Sequence, residues 1–98
     1  MLKLNKTILC ADGFRMSVQA SAGNYCTPRI SNAKRYDTVE VGFPSSEEPL
    51  LMEYADETNW TDTVYGFVPV QVVTNIIAKH GGMVEGEVPP GIPTLWAN

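Results

Sequence analysis

Five consecutive residues, Tyr25-Cys26-Thr27-Pro28-Arg29, put an aromatic face, a thiol, a stiffened backbone and a guanidinium into one short stretch of chain. Such a set can stack on a ring and hold a carboxylate or phosphate, because the guanidinium is a planar fork that matches both anions. Gln19 before the stretch and Lys34, Arg35 and Tyr36 after it lie close enough in sequence to join the same surface. Gln19, Tyr25, Cys26, Arg29, Lys34, Arg35 and Tyr36 are therefore the candidate ligand- or partner-binding residues. The plainer alternative is a loop pinned by Pro28 and a buried Tyr25, with Arg29 bonding backbone carbonyls.

Catalytic schemes have little to work with. Every Ser-His or Cys-His arrangement would have to use His80, the single histidine. It falls at the end of a predicted helix, where a cation opposes the negative end of the helix dipole, and that position explains it. Metal binding would require Cys10, Cys26 and His80 to converge with a carboxylate, since the sequence has no Cys-x-x-Cys and no His-x-x-x-His. Phosphate loops and dinucleotide fingerprints are absent, and the carboxylates of 37–62 show no spacing that sets an acid/base pair apart from a solvated face. The sequence thus reads as a non-enzyme, with no cofactor and no metal site expected.

The elements that must position the loop follow from periodicity. Phe14, Met16, Val18 and Ala20 alternate with Arg15, Ser17 and Gln19, the pattern of a half-buried strand. The segment from Leu2 to Cys10 precedes it, and Asp12-Gly13 marks the turn. A three-residue loop of Ala11, Asp12 and a left-handed Gly13 pairs Cys10 with Phe14 and Ile8 with Met16, keeping more apolar side chains on one face than a two-residue loop does. Alternation resumes through Val39, Val41 and Phe43. Pro44-Ser45-Ser46 then turns the chain towards 50–54, which predicts a hairpin, and a short strand follows over 64–68. Residues 21–36 between these strands have no period and form the longest structureless connection, the kind of segment that is often functional.

Pro69 suits the start of a helix, where its missing N–H has no partner. Val72, Val73, Ile76 and Ile77, with Pro69 or Val70 before them, form a stripe opposite Gln71, Thr74, Asn75 and Lys79, and Gly81-Gly82 supplies the stop. The predicted helix is 69–80. Met83 to Val88 reads as a short edge strand, and residues 85–98 as an extended, proline-rich C-terminal segment whose Ile92, Leu95 and Trp96 should dock. The fold class is α+β: an antiparallel sheet of about four to six strands with one amphipathic helix, 69–80, packed across one face. Exposed edge strands in so small a sheet would suit a homodimer.

Length and composition set the frame. The 98 residues, 44% hydrophobic and 18% charged, contain no linker between two possible cores and read as a single domain, 1–98. No apolar run meets the requirements of a signal peptide or a membrane span, which predicts a soluble cytoplasmic protein without membrane contact and two reduced cysteines. The net charge of −4 is unevenly distributed: residues 1–36 hold six Lys/Arg and one Asp, and residues 37–98 one Lys and ten Asp/Glu. Nucleic-acid binding through Arg15, Arg29, Lys34 and Arg35 is disfavoured, because phosphate contacts need a net basic face.

Cys10-Ala-Asp-Gly-Phe, Ser17-Val-Gln-Ala-Ser21, Tyr25-Cys-Thr-Pro-Arg29, Val39-Glu-Val-Gly-Phe-Pro44, Glu48-Pro-Leu, Val64-Tyr-Gly-Phe-Val-Pro69 and Lys79-His-Gly-Gly82 form a pattern that resembles small accessory proteins of tailed bacteriophages and prophages. The resemblance spans most of residues 8–84. It implies a bacterial host cytoplasm and an accessory role, with no catalytic residues to carry over. In that setting small acidic proteins commonly bind, so the expected partner is a host protein, such as a component of a defence system that the chain inhibits. The alternative is a small anionic ligand such as a nucleotide, held by Tyr25, Arg29 and their neighbours.

Overall fold

The computed structural model describes residues 4–55 and 64–98. Leu2, the polar stretch from Asp56 to Thr63 and the acidic residues it contributes to 37–62 lie outside the described residues. Five strands, β1 (Ile8–Cys10), β2 (Arg15–Gln19), β3 (Thr38–Gly42), β4 (Val64–Pro69) and β5 (Met83–Glu85), make one sheet in the order β4-β3-β2-β1-β5. Every neighbouring pair is antiparallel. β4 and β5 therefore run in the same direction at opposite edges, and helix α1 (Val70–Lys79) carries the chain from one edge to the other.

Strand β2 fixes the inward face by its alternation: Phe14, Met16 and Val18 are buried, while Arg15 is exposed. The β1–β2 connection is the three-residue loop, with Ile8 opposite Met16 and the Cys10 N–H donating to the Phe14 carbonyl at 2.9 Å. Gly13 takes φ +96°, the left-handed conformation that this turn requires. Onto this face α1 lays Val73, Ile76 and Ile77, all fully buried. Pro69, the predicted first residue of the helix, is both the last residue of β4 and the N-cap, so the helix starts one position later than expected. At the other end Gly82 N–H bonds the Ile77 carbonyl and Gly81 N–H bonds the Ala78 carbonyl, a Schellman motif.

Two expectations are overturned. Residues 50–54 do not form the second arm of a hairpin but belong to a 3₁₀ helix, Pro49–Tyr54. Pro49 has no N–H to give a ladder, and Glu48 caps the turn by accepting from Leu50 N–H at 3.0 Å, so the local bonds close a helix while β3 pairs with β2 and β4. Phe43 does not continue the inward alternation of Val39 and Val41. Its φ is +52° and it stands 62% exposed just beyond β3.

Both sheet edges are partly covered. Tyr65 of β4 bridges Ala55, and Met83 of β5 bridges Trp96 in parallel, with the Met83 N–H donating to the Leu95 carbonyl and the Ala97 N–H to the Met83 carbonyl. This removes part of the open edge on which the homodimer expectation rests. The C-terminal segment docks on its own chain through buried Ile92 and half-buried Leu95, whereas Trp96, expected to dock as well, is 58% exposed. Cys10 and Cys26 are both buried and unbridged. Among the described residues no helix is long and apolar enough to cross a membrane.

Candidate functional site: a braced aromatic face on the long loop

The loop 21–36 is attached to β3 and β4 along its length. Glu40, on β3, accepts from Tyr25 N–H and from Asn24 Nδ2, each at 3.0 Å, one on each carboxylate oxygen. Thr27 forms a bridge with Thr38, reinforced by a hydroxyl–hydroxyl bond of 2.9 Å. Beyond it, Tyr36 N–H donates to the Pro90 carbonyl at 2.8 Å, tying the loop to the C-terminal segment.

The β3–β4 ladder shifts register between Val39↔Val68 and Val41↔Tyr65, leaving Gly66 and Phe67 opposite Glu40. A bulge of this kind leaves a residue without its ladder partner. Here Phe67 takes φ +52° and its N–H finds the Tyr25 carbonyl at 3.0 Å. A positive φ is uncommon for any side-chain-bearing residue and a genuine outlier for a bulky one. It turns Phe67 away from the core, where it stands 51% exposed, with its ring centroid 5.9 Å from that of Tyr25 at 46°. Tyr25 is itself 46% exposed, and the Arg29 guanidinium lies over its ring, 5.0 Å from the centroid. A methyl group on Gly66 would come within 3.1 Å of Tyr25 Cβ, so the loop lies directly over the bulge. Ile30, next to Arg29, adds a further exposed apolar side chain.

The residues singled out by sequence divide into two groups. Tyr25 and Arg29 meet on this face, and Lys34 and Arg35 are exposed on the same loop. Gln19, Cys26 and Tyr36 have their polar atoms engaged by their own chain. Gln19 exchanges bonds of 2.8 and 2.9 Å with the backbone of Asn5. Buried Cys26 directs its thiol at the Ser21 carbonyl, 3.2 Å away. Buried Tyr36 donates to the Ile30 carbonyl at 2.7 Å and accepts from Ala33 N–H, so the loop curls around its hydroxyl. Phe67 is the member not identified from sequence: by pattern it is one position of an apolar strand, and the bulge depends on pairing between distant segments.

His80 is more than a helix-end cation. Its Nδ1 lies 2.6 Å from Asp12 Oδ2 and its Nε2 2.7 Å from Glu48 Oε1, while Lys79 Nζ reaches Glu48 Oε2 at 2.8 Å. The ring thus bridges the two carboxylates, one through each nitrogen. It stacks on Phe14 with centroids 4.1 Å apart. Asp12 is held below its ordinary range by Phe14 N–H and by His80. Burial pushes Glu48 up, but Lys79, Leu50 N–H and His80 outweigh it and leave the carboxyl lowered. With both ring nitrogens occupied, neither is free to act as a base towards Ser45 or Ser46, which share the adjacent hollow of about 260 Å³. The cluster clamps the β1–β2 turn, the 3₁₀ helix and the end of α1 together. Among the described residues no group of three or more His, Cys, Asp or Glu could hold a metal ion.

A second hollow, of about 460 Å³, lies between β5 and the tail, lined by Lys6, Thr7, Val84, Glu85, Gly86, Glu87 and Trp96. Neither hollow borders the loop 21–36. No protein-family model matches the chain, and no curated protein or solved structure matches it either.

Proposed function

We propose that this chain is an accessory protein of a tailed phage or prophage that works in the bacterial cytoplasm by binding a host protein, such as a component of a defence system. One observation carries the choice of surface: Phe67, a bulky residue in a left-handed conformation, is held half exposed beside Tyr25 and Arg29. Strained backbone of this kind persists where the surrounding structure over-determines it, and such residues cluster at functional sites. Aromatic side chains and arginine are also the residues that most often dominate binding at protein interfaces.

The alternative, a small anionic ligand, draws support from Arg29, whose guanidinium sits over Tyr25 with no carboxylate partner among the described residues. Protein binding is favoured over it because two neighbouring aromatic rings, Tyr25 and Phe67, stand about half exposed beside Arg29. Capture from bacterial lysate on the immobilised chain, run beside a thermal-shift panel of nucleotides, separates the two. A host protein retained by the parent and lost with Tyr25→Ala supports protein binding. A nucleotide that raises the melting temperature of the parent but not of Arg29→Lys supports the alternative, because the lysine keeps the charge and loses the fork.

A further inference from the structure

We infer that the protein bound at the Tyr25–Phe67 face presents carboxylates, which Arg29, Lys34 and Arg35 read; this rests on the reading of that face as a protein-binding surface. The segment 21–36 contains these three cations and no Asp or Glu, within a chain of net charge −4. All three are exposed, and none has a carboxylate within ion-pair distance among the described residues. The carboxylate bonded to this loop, Glu40, accepts from Tyr25 N–H and Asn24 Nδ2 and lies beyond ion-pair distance of all three cations. Lys79 and His80, in contrast, are matched by Glu48 and Asp12. Lys6 and Arg15, elsewhere on the described surface, are also exposed and unmatched, but three of the five unmatched cations share one loop with the braced aromatic residue Tyr25.

Arg29 is also arranged for an incoming acid. Its guanidinium carbon lies 5.0 Å from the Tyr25 ring centroid, a cation–π contact that leaves its N–H donors for a bidentate carboxylate. A nucleic acid fits less well. Arg29 covers one face of Tyr25, and Phe67 is tilted 46° to it, so the two rings do not form the parallel platform on which successive bases stack.

The test uses the full chain, immobilised, in nuclease-treated bacterial lysate, with Phe67→Ala and the triple variant Arg29→Gln/Lys34→Gln/Arg35→Gln beside the parent. All three substituted cations are exposed, and melting curves verify that each variant is folded. Capture by the parent should fall at least about tenfold between 50 and 500 mM NaCl, as screening of a charged interface requires. Poly-L-glutamate should displace the captured protein, and the triple variant should lose it as Phe67→Ala does. If Phe67→Ala loses the protein while the triple variant keeps it with no salt dependence, the carboxylate inference fails and the protein-binding reading stands. If parent and Phe67→Ala behave alike, the reading fails and takes this inference with it. Capture seen in a parallel untreated lysate but absent from the nuclease-treated one makes the partner a nucleic acid and also overturns it.

Discussion

At the scale of single residues the His80 clamp makes the clearest demands on stability. Asp12 and Glu48 both have folded-state values below their ordinary ones of 3.8 and 4.5. A carboxylate lowered on folding contributes stability that is fully present above its unfolded value and disappears as pH falls through its folded value. Melting temperature should therefore hold at neutral pH and drop below about pH 4.5, and Glu48→Gln should flatten that acid limb. The same variant should cost roughly 2 to 4 kcal/mol at neutral pH, short of a fully buried broken pair because Lys79 is half exposed. Cys10 differs in kind: burial, then the charge of Asp12, pushes its thiol up to about 11. Alkylation of native protein at pH 7.5 should leave Cys10 unmodified, whereas denatured, unreduced protein should take up label at both cysteines. The clamp itself was not legible in the sequence. His80 sits where a helix-end cation belongs, and its partners arrive from 68 and 32 residues away.

At the scale of elements, local pattern predicts structure wherever one residue spacing dominates. The alternation of β2, the turn at Gly13 and the stripe of α1 all appear as expected, because each is set by neighbours within a turn or a pleat. Ile76→Ala should accordingly cost about 2 to 5 kcal/mol in chemical denaturation, since its side chain is fully buried beneath the sheet. Pattern fails where a competing bond intervenes. Leu50, Leu51 and Met52 are apolar enough for a strand, yet Pro49 and the Glu48 cap close a 3₁₀ helix that buries Leu51 and leaves the other two exposed. The bulge at Phe67 belongs to the same class. Gly66 within Val64-Tyr65-Gly66-Phe67-Val68 is its one local sign, since glycine inside a strand marks a bulge, but the conformation of Phe67 is defined only against β3 and its N–H is satisfied only by the loop.

For the molecule as a whole, the described residues form a sheet, a crossing helix and a docked tail, with the loop 21–36 tied onto β3 and β4. Ile92 is buried, and the pairing of Leu95 and Ala97 with Met83 extends the β5 edge, so deleting residues 91–98 should lower the melting temperature of the monomer. The candidate site was half visible in advance. Tyr25, Arg29, Lys34 and Arg35 are named by their chemistry alone, whereas Phe67 joins Tyr25 only through the folded chain, and Cys26 and Tyr36 turn inward to shape the loop. The central claim, that the Tyr25–Phe67 face serves binding rather than stability, is tested most directly by Phe67→Gly. Glycine relieves a left-handed conformation that costs an L-residue roughly 1 to 2 kcal/mol, offsetting the loss of the ring contact with Tyr25 and the added freedom of the unfolded chain. Melting temperature and lysate capture measured on the same preparation should show a fold as stable as the parent and a host protein no longer retained. A variant that melts several degrees lower yet retains the same protein as the parent would contradict the account.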